Sequence, residues 1–208
     1  MARRGFWIVF EGGDGVGKTT QIDALLEWLR GERAMTEVVA TREPGGTPLG
    51  IELRQAVMHG DHVAPRAEAL LYAADRAHHV AAVVRPALER GAIVVQDRYL
   101  DSSIVYQGGA RGLGDMVEQI SVWATEGAVP NLTVVLDMAP RADRLARDLD
   151  RVERETAAHA DLMREGFRAL AAREPARYAV IDAARAIDDV AADVRAAVSD
   201  AMAKAGVA

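Results

Sequence analysis

Apolar residues in this chain fall into two recurring patterns. Nearly unbroken runs at 6–10, 37–41, 92–96, 132–137 and 178–182 have the length and β-branched content of buried strands. Between them, apolar positions recur at helical spacing. Ile22, Leu25, Leu26 and Leu29 stand at i, i+3, i+4 and i+7, and Ile51, Leu53, Val57 and Met58 follow Pro48 before Gly60-Asp61 breaks the pattern. A longer helix is expected from about 65 to 90. Its Leu70, Leu71, Ala74, Val80, Val83, Val84 and Leu88 are too many for one narrow stripe and predict packing on two sides, with a kink at Pro86 and an end at Gly91. Segments 114–126, 140–150, 156–173 and 187–205 complete the helical set. Uniformly apolar strands alternating with helices predict an α/β fold, a parallel sheet of about five strands with helices on both faces. Ligands of such sheets bind beyond the carboxyl ends of the strands, the edge to which Arg42, Asp97 and Asp137 are assigned.

The first strand runs directly into Gly12-Gly13-Asp14-Gly15-Val16-Gly17-Lys18-Thr19-Thr20, and Gly12 to Thr19 fits G-x-x-x-x-G-K-[ST]. Glycines let backbone N–H groups turn toward phosphate oxygens, Lys18 adds a charge, and Thr19 offers a hydroxyl to Mg²⁺. The helix that Thr19 opens aims its positive dipole end at the same phosphates. The pattern is short, so its context carries the weight: a strand precedes it and a helix follows. Only Lys18 and Lys204 are lysines, against 23 arginines, so a lysine at the motif position is informative.

Length and composition narrow the rest. A chain of 208 residues holds one domain with a full core, taken here as 1–208. No run approaches the ~20 apolar residues of a membrane span, and Met1-Ala-Arg-Arg-Gly leads straight into the first strand without a separate signal peptide. A cytoplasmic protein is expected. Cysteine is absent, which leaves oxygen ligands for any metal. A net charge of −6 argues against a general nucleic-acid binder.

Other clusters acquire meaning beside the phosphate loop. Asp97-Arg98 ends a buried strand, with Asp97 placed to hold Mg²⁺ and Arg98 to clamp a phosphoryl group; a surface ion pair has the same sequence. Arg42 precedes a Pro44-Gly45-Gly46 turn and is a second candidate anion ligand. Tyr72 and Arg76, four apart on one helix face, suit stacking and hydrogen bonding to one planar ligand; a core-edge tyrosine beside a surface arginine looks alike. Arg144, Arg147, Arg151 and Arg154 are spaced 3, 4 and 3, along one face of a helix. Asp148, Asp150, Glu153 and Glu155 interleave with them, so the segment is either a solvated salt-bridged helix or a lid over ATP.

Taken in order, Gly12 to Thr19, Thr41-Arg42-Glu43-Pro44-Gly45-Gly46-Thr47, Asp97-Arg98-Tyr99-Leu100-Asp101-Ser102-Ser103 and Tyr106-Gln107-Gly108-Gly109 resemble the bacterial thymidylate kinase family. The resemblance runs from about Phe6 to Asp189. It implies a P-loop NTPase three-layer sandwich with a short helical lid at about 140–155, and transfer of the γ-phosphoryl of ATP to dTMP for dTTP synthesis. It also implies Mg²⁺ and a homodimer. By position it makes Asp14 a carboxylate near the sugar and phosphate of dTMP, and Arg42 and Arg98 clamps on the acceptor phosphate. Tyr72 stacks on thymine, Arg76 hydrogen-bonds it, Ser103 and Gln107 lie around the base edge, and Tyr106 lies near the deoxyribose. Asp150-Arg151-Val152-Glu153 resembles the far end of the lid, with Glu153 toward the metal. The phosphate loop has no basic residue within Asp14-Gly15-Val16, so Arg144 or Arg147 is expected to neutralise charge on ATP during transfer. The stretch from Pro140 to Asp150 is shorter than the family's usual lid and has no glycine.

Two competing classes leave traces that can be checked. A partition-type ATPase wants a lysine where Gly13 stands, and a GTPase wants an Asn-Lys-x-Asp element that is missing. A nucleoside kinase has no acceptor phosphate, which leaves paired Arg42 and Arg98 without a purpose.

Overall fold

The computed structural model describes residues 5–32, 36–59, 62–139 and 151–207. Strands β1 (Phe6–Glu11), β2 (Val38–Arg42), β3 (Ile93–Asp97), β4 (Leu132–Asp137) and β5 (Tyr178–Asp182) form one sheet in the order β2-β3-β1-β4-β5. All four pairings are parallel, as the uniformly apolar strands require. Register places Phe10 and Arg42 on either side of Asp97, so the carboxyl ends of three strands are level.

Alternation along β1 sends Phe6, Ile8 and Phe10 to one face and Trp7 and Val9 to the other. The first face is covered by helix α1 (Lys18–Glu32), through Leu25, Leu26 and Leu29, and by α9 (Ile187–Lys204), through Val190, Val194, Val198 and Met202. On the opposite face Val80, Val84 and Ala87 meet Trp7, Val9 and Val94. A third cluster joins Val105, Tyr106, Val135, Met163 and Phe167 beneath the helices that flank the ligand edge.

The helices depart from expectation in three places. The single helix expected over 65–90 is α3 (Pro65–His79), a π-helical stretch (Val80–Val84) and α4 (Arg85–Glu89). Pro86 has no N–H to give and its ring crowds the carbonyl four residues back, so the turn before it widens until the Arg85 N–H reaches the Val80 carbonyl. Packing on two sides holds, because α3 lies against α2 (Pro48–His59) and α6 (Met116–Ala124) while Val80 and Val84 face the sheet, but Leu70 and Ala74 are exposed. Second, α5 (Leu100–Ser103) continues as a π-helical stretch (Ile104–Ala110) where no helix was expected. Third, the helix expected over 156–173 is α7 (Arg151–Thr156), a 3₁₀ turn (Ala157–His159) and α8 (Ala160–Arg173). The expected helix over 140–150 lies outside the described residues.

Candidate active site

The glycine loop bridges β1 and α1. Gly12 has φ 133°, and a Cβ there would stand 2.6 Å from the Leu136 carbonyl oxygen, so no larger residue fits. Lys18 is buried and folds back on the loop, its Nζ donating to the Gly12 carbonyl at 3.0 Å and the Gly13 carbonyl at 2.7 Å. Burial, followed by the Arg98 charge, pushes its ammonium down to about 8. Val16 sends its side chain into the core, leaving its backbone for a ligand.

Arg98 leaves β3 with φ 63°, a left-handed conformation that costs a non-glycine residue roughly 1 kcal/mol. Several bonds hold it there. Its N–H donates to the Phe10 carbonyl at 2.9 Å, and the Gln96 side chain donates to its carbonyl at 2.9 Å while accepting from the Trp7 indole at 3.0 Å. The next N–H, of Tyr99, goes to Glu11 at 2.8 Å, and Glu11 also takes the Ser102 hydroxyl at 2.7 Å. Burial and the neighbouring Asp101 push the Glu11 carboxyl up to about 8. The Arg98 guanidinium then reaches the Gly12 carbonyl at 3.2 Å, Ser102 at 3.0 Å and Asp14 at 2.6 Å. Tyr106 donates to the other Asp14 oxygen at 2.8 Å, with its ring 5.3 Å from the guanidinium. Arg98 therefore pairs with Asp14 across the loop and not with its neighbour Asp97, whose buried Oδ1 has no hydrogen-bond partner among the described residues.

On the other side, Arg42 ends β2 with an exposed side chain, and the loop after it is tied down by Glu43. Buried Glu43 accepts from Arg76 at 2.9 Å and contacts His79 at 2.8 Å, and the far side of His79 meets Thr41 at 2.6 Å. Gly46 lies so close to His79 and the Arg42 carbonyl that a Cβ would come within 2.6 Å of both. Arg76 also donates to Ser103 at 2.8 Å and Ser121 at 2.9 Å. Both side chains on which the sequence was ambiguous thus face inward: Arg76 is buried and three of its five N–H groups are committed to protein partners, while half-buried Tyr72 borders the ligand cleft.

These two halves line one cleft of about 510 Å³. Asp14, Gly15, Gly17, Lys18, Thr19 and Thr20 line it from the glycine loop and the start of α1, Arg42 from β2, Tyr72 and Arg76 from α3, Ser103, Tyr106 and Gln107 from the helical stretch at 100–110, and Asp97 and Arg98 from the end of β3. Asp137, though on the same sheet edge, is closed off by a two-pronged pair with Arg164 at 2.6 and 2.8 Å. Arg144 and Arg147 lie outside the described residues, as does the Glu153 side chain. Arg151 does not lie on a solvated face. It is buried, donating to the Val57 carbonyl at 2.9 Å and to Glu68 at 2.6 Å.

A family model for thymidylate kinase matches residues 10–194. The chain belongs to the thymidylate kinase family. It is 53% identical over 198 residues to a thymidylate kinase of Clavibacter michiganensis subsp. michiganensis, covering 92% of this chain and 93% of that one. It is 54% identical over 202 residues to that of Leifsonia xyli subsp. xyli, covering 93% and 94%. A crystal structure of thymidylate kinase from Ehrlichia chaffeensis superposes with a TM-score of 0.78 at 29% identity, over 94% of this chain and 99% of that one.

The buried carboxylates that brace this thymidylate kinase site, Glu11, Glu43 and Glu68, are the residues that motif reading passed over. One signal was available. Glu68, Tyr72, Arg76 and His79 are spaced 4, 4 and 3, so the helix-face argument that picked out Tyr72 and Arg76 extends to both neighbours. Glu11 is likewise the one charge in the otherwise apolar β1.

Proposed function

We propose that this cleft transfers the γ-phosphoryl group of ATP to a phosphate oxygen of dTMP, giving dTDP and ADP. One observation carries the reading. A glycine loop with its lysine, two arginines suited to a second phosphate, and a tyrosine, arginine and amide suited to a pyrimidine line one cleft. Lys18 leaves the Gly12 and Gly13 carbonyls for the phosphates of ATP. Arg42 and Arg98 hold the acceptor phosphate, so one of its oxygens attacks the γ-phosphorus as the bond to the ADP oxygen breaks. Asp14, held by Arg98 and Tyr106, borders the sugar, and Tyr72 and Arg76 contact the base.

Mg²⁺ fits this site. The Thr19 hydroxyl and the unpartnered Asp97 oxygen are hard donors, and no group of three or more acidic or histidine side chains among the described residues would hold a metal alone. Held by Thr19 and Asp97 beside ATP, Mg²⁺ would supply positive charge that offsets that of the phosphates. No helix among the described residues is long and apolar enough to cross a membrane. We place the reaction in the cytoplasm, with its nucleotides, and take the protein to be a homodimer. Leu70, Met116 and Trp123, 55%, 56% and 81% exposed on the neighbouring helices α3 and α6, offer apolar surface for a second copy.

A coupled ADP-release assay with Mg²⁺ and ATP tests the reaction against dTMP, dCMP, dAMP, dGMP and thymidine. dTMP is expected to lead. Equal turnover of dCMP or dAMP, or preference for thymidine, would overturn the reading. The depressed Lys18 ammonium adds a pH signature. Bound phosphates favour its charged form, so ATP binding above pH 8 takes up a proton, and affinity falls by up to about tenfold per pH unit there. Calorimetry in buffers of different ionisation enthalpy measures the uptake. An affinity flat from pH 7 to 9.5 would contradict it.

A further inference from the structure

We propose that Glu68, which no motif includes, sets base specificity by fixing which end of the Gln107 amide faces the ligand. The inference rests on the dTMP reading of the cleft. Glu68 lies on α3, fully buried, and accepts four hydrogen bonds. Gln107 Nε2 donates to its Oε1 at 2.9 Å, Arg111 donates to Oε1 at 3.2 Å and to Oε2 at 3.0 Å, and Arg151 donates to Oε2 at 2.6 Å. With four N–H groups aimed at its two oxygens, three of them from guanidinium groups, the Glu68 carboxylate acts here as an acceptor. Gln107 must therefore present its NH₂ group to Glu68, because the reverse orientation sets oxygen against oxygen. Its amide oxygen is left for the cleft that Gln107 lines.

That choice has a chemical consequence. Thymine carries a donor at N3 and an acceptor at O4, whereas cytosine carries an acceptor at N3 and a donor at N4. An amide oxygen accepts from thymine N3–H and repels the cytosine N3 lone pair. Arg76, which can only donate, discriminates in the same sense at the neighbouring ring position. Glu68 does not touch the base under this account. It is a positioning residue.

The test is Glu68→Gln, with kcat and KM measured for dTMP and dCMP. In the variant, the new amide keeps its oxygen toward Arg151 and Arg111 and turns its NH₂ toward Gln107, which must flip and present a donor to the base. The ratio of kcat/KM for dTMP over dCMP should fall at least roughly tenfold, the dTMP KM rising while the dCMP KM falls. A purely structural role would weaken both substrates alike. The double variant Glu68→Gln, Gln107→Glu restores an acceptor facing the base and a net negative charge beside the two arginines, and should recover the preference for dTMP. If Glu68→Gln alone does not fold, the double variant decides by whether dTMP still leads. A folded Glu68→Gln protein with the wild-type ratio, or a double variant without the preference, overturns the proposal. A wild-type protein that prefers another acceptor overturns the dTMP reading and this inference together, whereas a wild type that prefers dTMP confines any failure to Glu68.

Discussion

Lys18→Ala is expected to lower phosphoryl transfer by roughly a hundredfold to a thousandfold, the usual loss when a preorganised charge is removed from a transition state. Its effect on folding should be small for a reason visible in the geometry. The ammonium is nearly sealed from water and, among the described residues, bonded to the Gly12 and Gly13 carbonyls, so removing it forfeits two hydrogen bonds but also relieves the desolvation of a charge. The two effects oppose each other. A thermal melt within a few degrees of wild type, alongside the collapse in kcat, is the expected pair of readings. Unchanged turnover would remove Lys18, and with it the phosphate-loop reading, from the chemistry.

Arg98→Ala should lose at least about a hundredfold in kcat/KM for dTMP, whereas Arg90→Ala should lose almost nothing. Each removes one positive charge. Arg90 pairs with Glu37 in open solvent, while Arg98 lines the cleft, bonded to the loop at the Gly12 carbonyl and to Asp14. Equal losses would point to a general charge effect. A third variant separates position from strain. Arg98 holds φ 63°, so alanine inherits the left-handed penalty and glycine does not. Arg98→Gly should match Arg98→Ala in activity yet be more stable by about 1 kcal/mol, or roughly 2–4 °C in Tm. Equal melts for the two variants would mean that the left-handed turn relaxes once the side chain is gone.

What could be read in the sequence was whatever is local. The strands showed as apolar runs because both faces of the sheet are covered, and the phosphate loop showed because strand, glycines and helix are contiguous. The rule for parallel sheets assigned Arg42 and Asp97 to the carboxyl edge and helix spacing put Tyr72 and Arg76 on one helix face, and the structure lines one cleft with these four and Arg98. The bracing was hidden because it is not local. Glu68 meets Arg111 and Arg151 across 43 and 83 residues of chain, and Glu11 meets Ser102 across 91. The fate of Arg151 could not be read for the same reason: its 3, 4, 3 companions suggest a helix face, but only its distant partner reveals that it is buried. The helical stretch at 100–110 was missed because its buried apolar residues, Leu100, Val105 and Tyr106, are interleaved with buried polar residues and glycine, Asp101, Ser103, Gln107 and Gly108, which blurs the apolar stripe.

The strand order divides the site between two levels of local stability. β1 and β3 are bordered on both sides, whereas β2 is, among the described residues, an edge strand paired with β3 alone and half exposed along its length. Edge elements open in sub-global fluctuations that leave the centre of a sheet intact, so amide hydrogens of β2 should exchange sooner than those of β1. Arg42 rides on that edge, while Lys18 and Arg98 are anchored to the two central strands. A molecule with β2 momentarily detached would keep Lys18 and Arg98 in place and lose Arg42, so of the two arginines proposed for the acceptor phosphate it is Arg42 whose hold breathes.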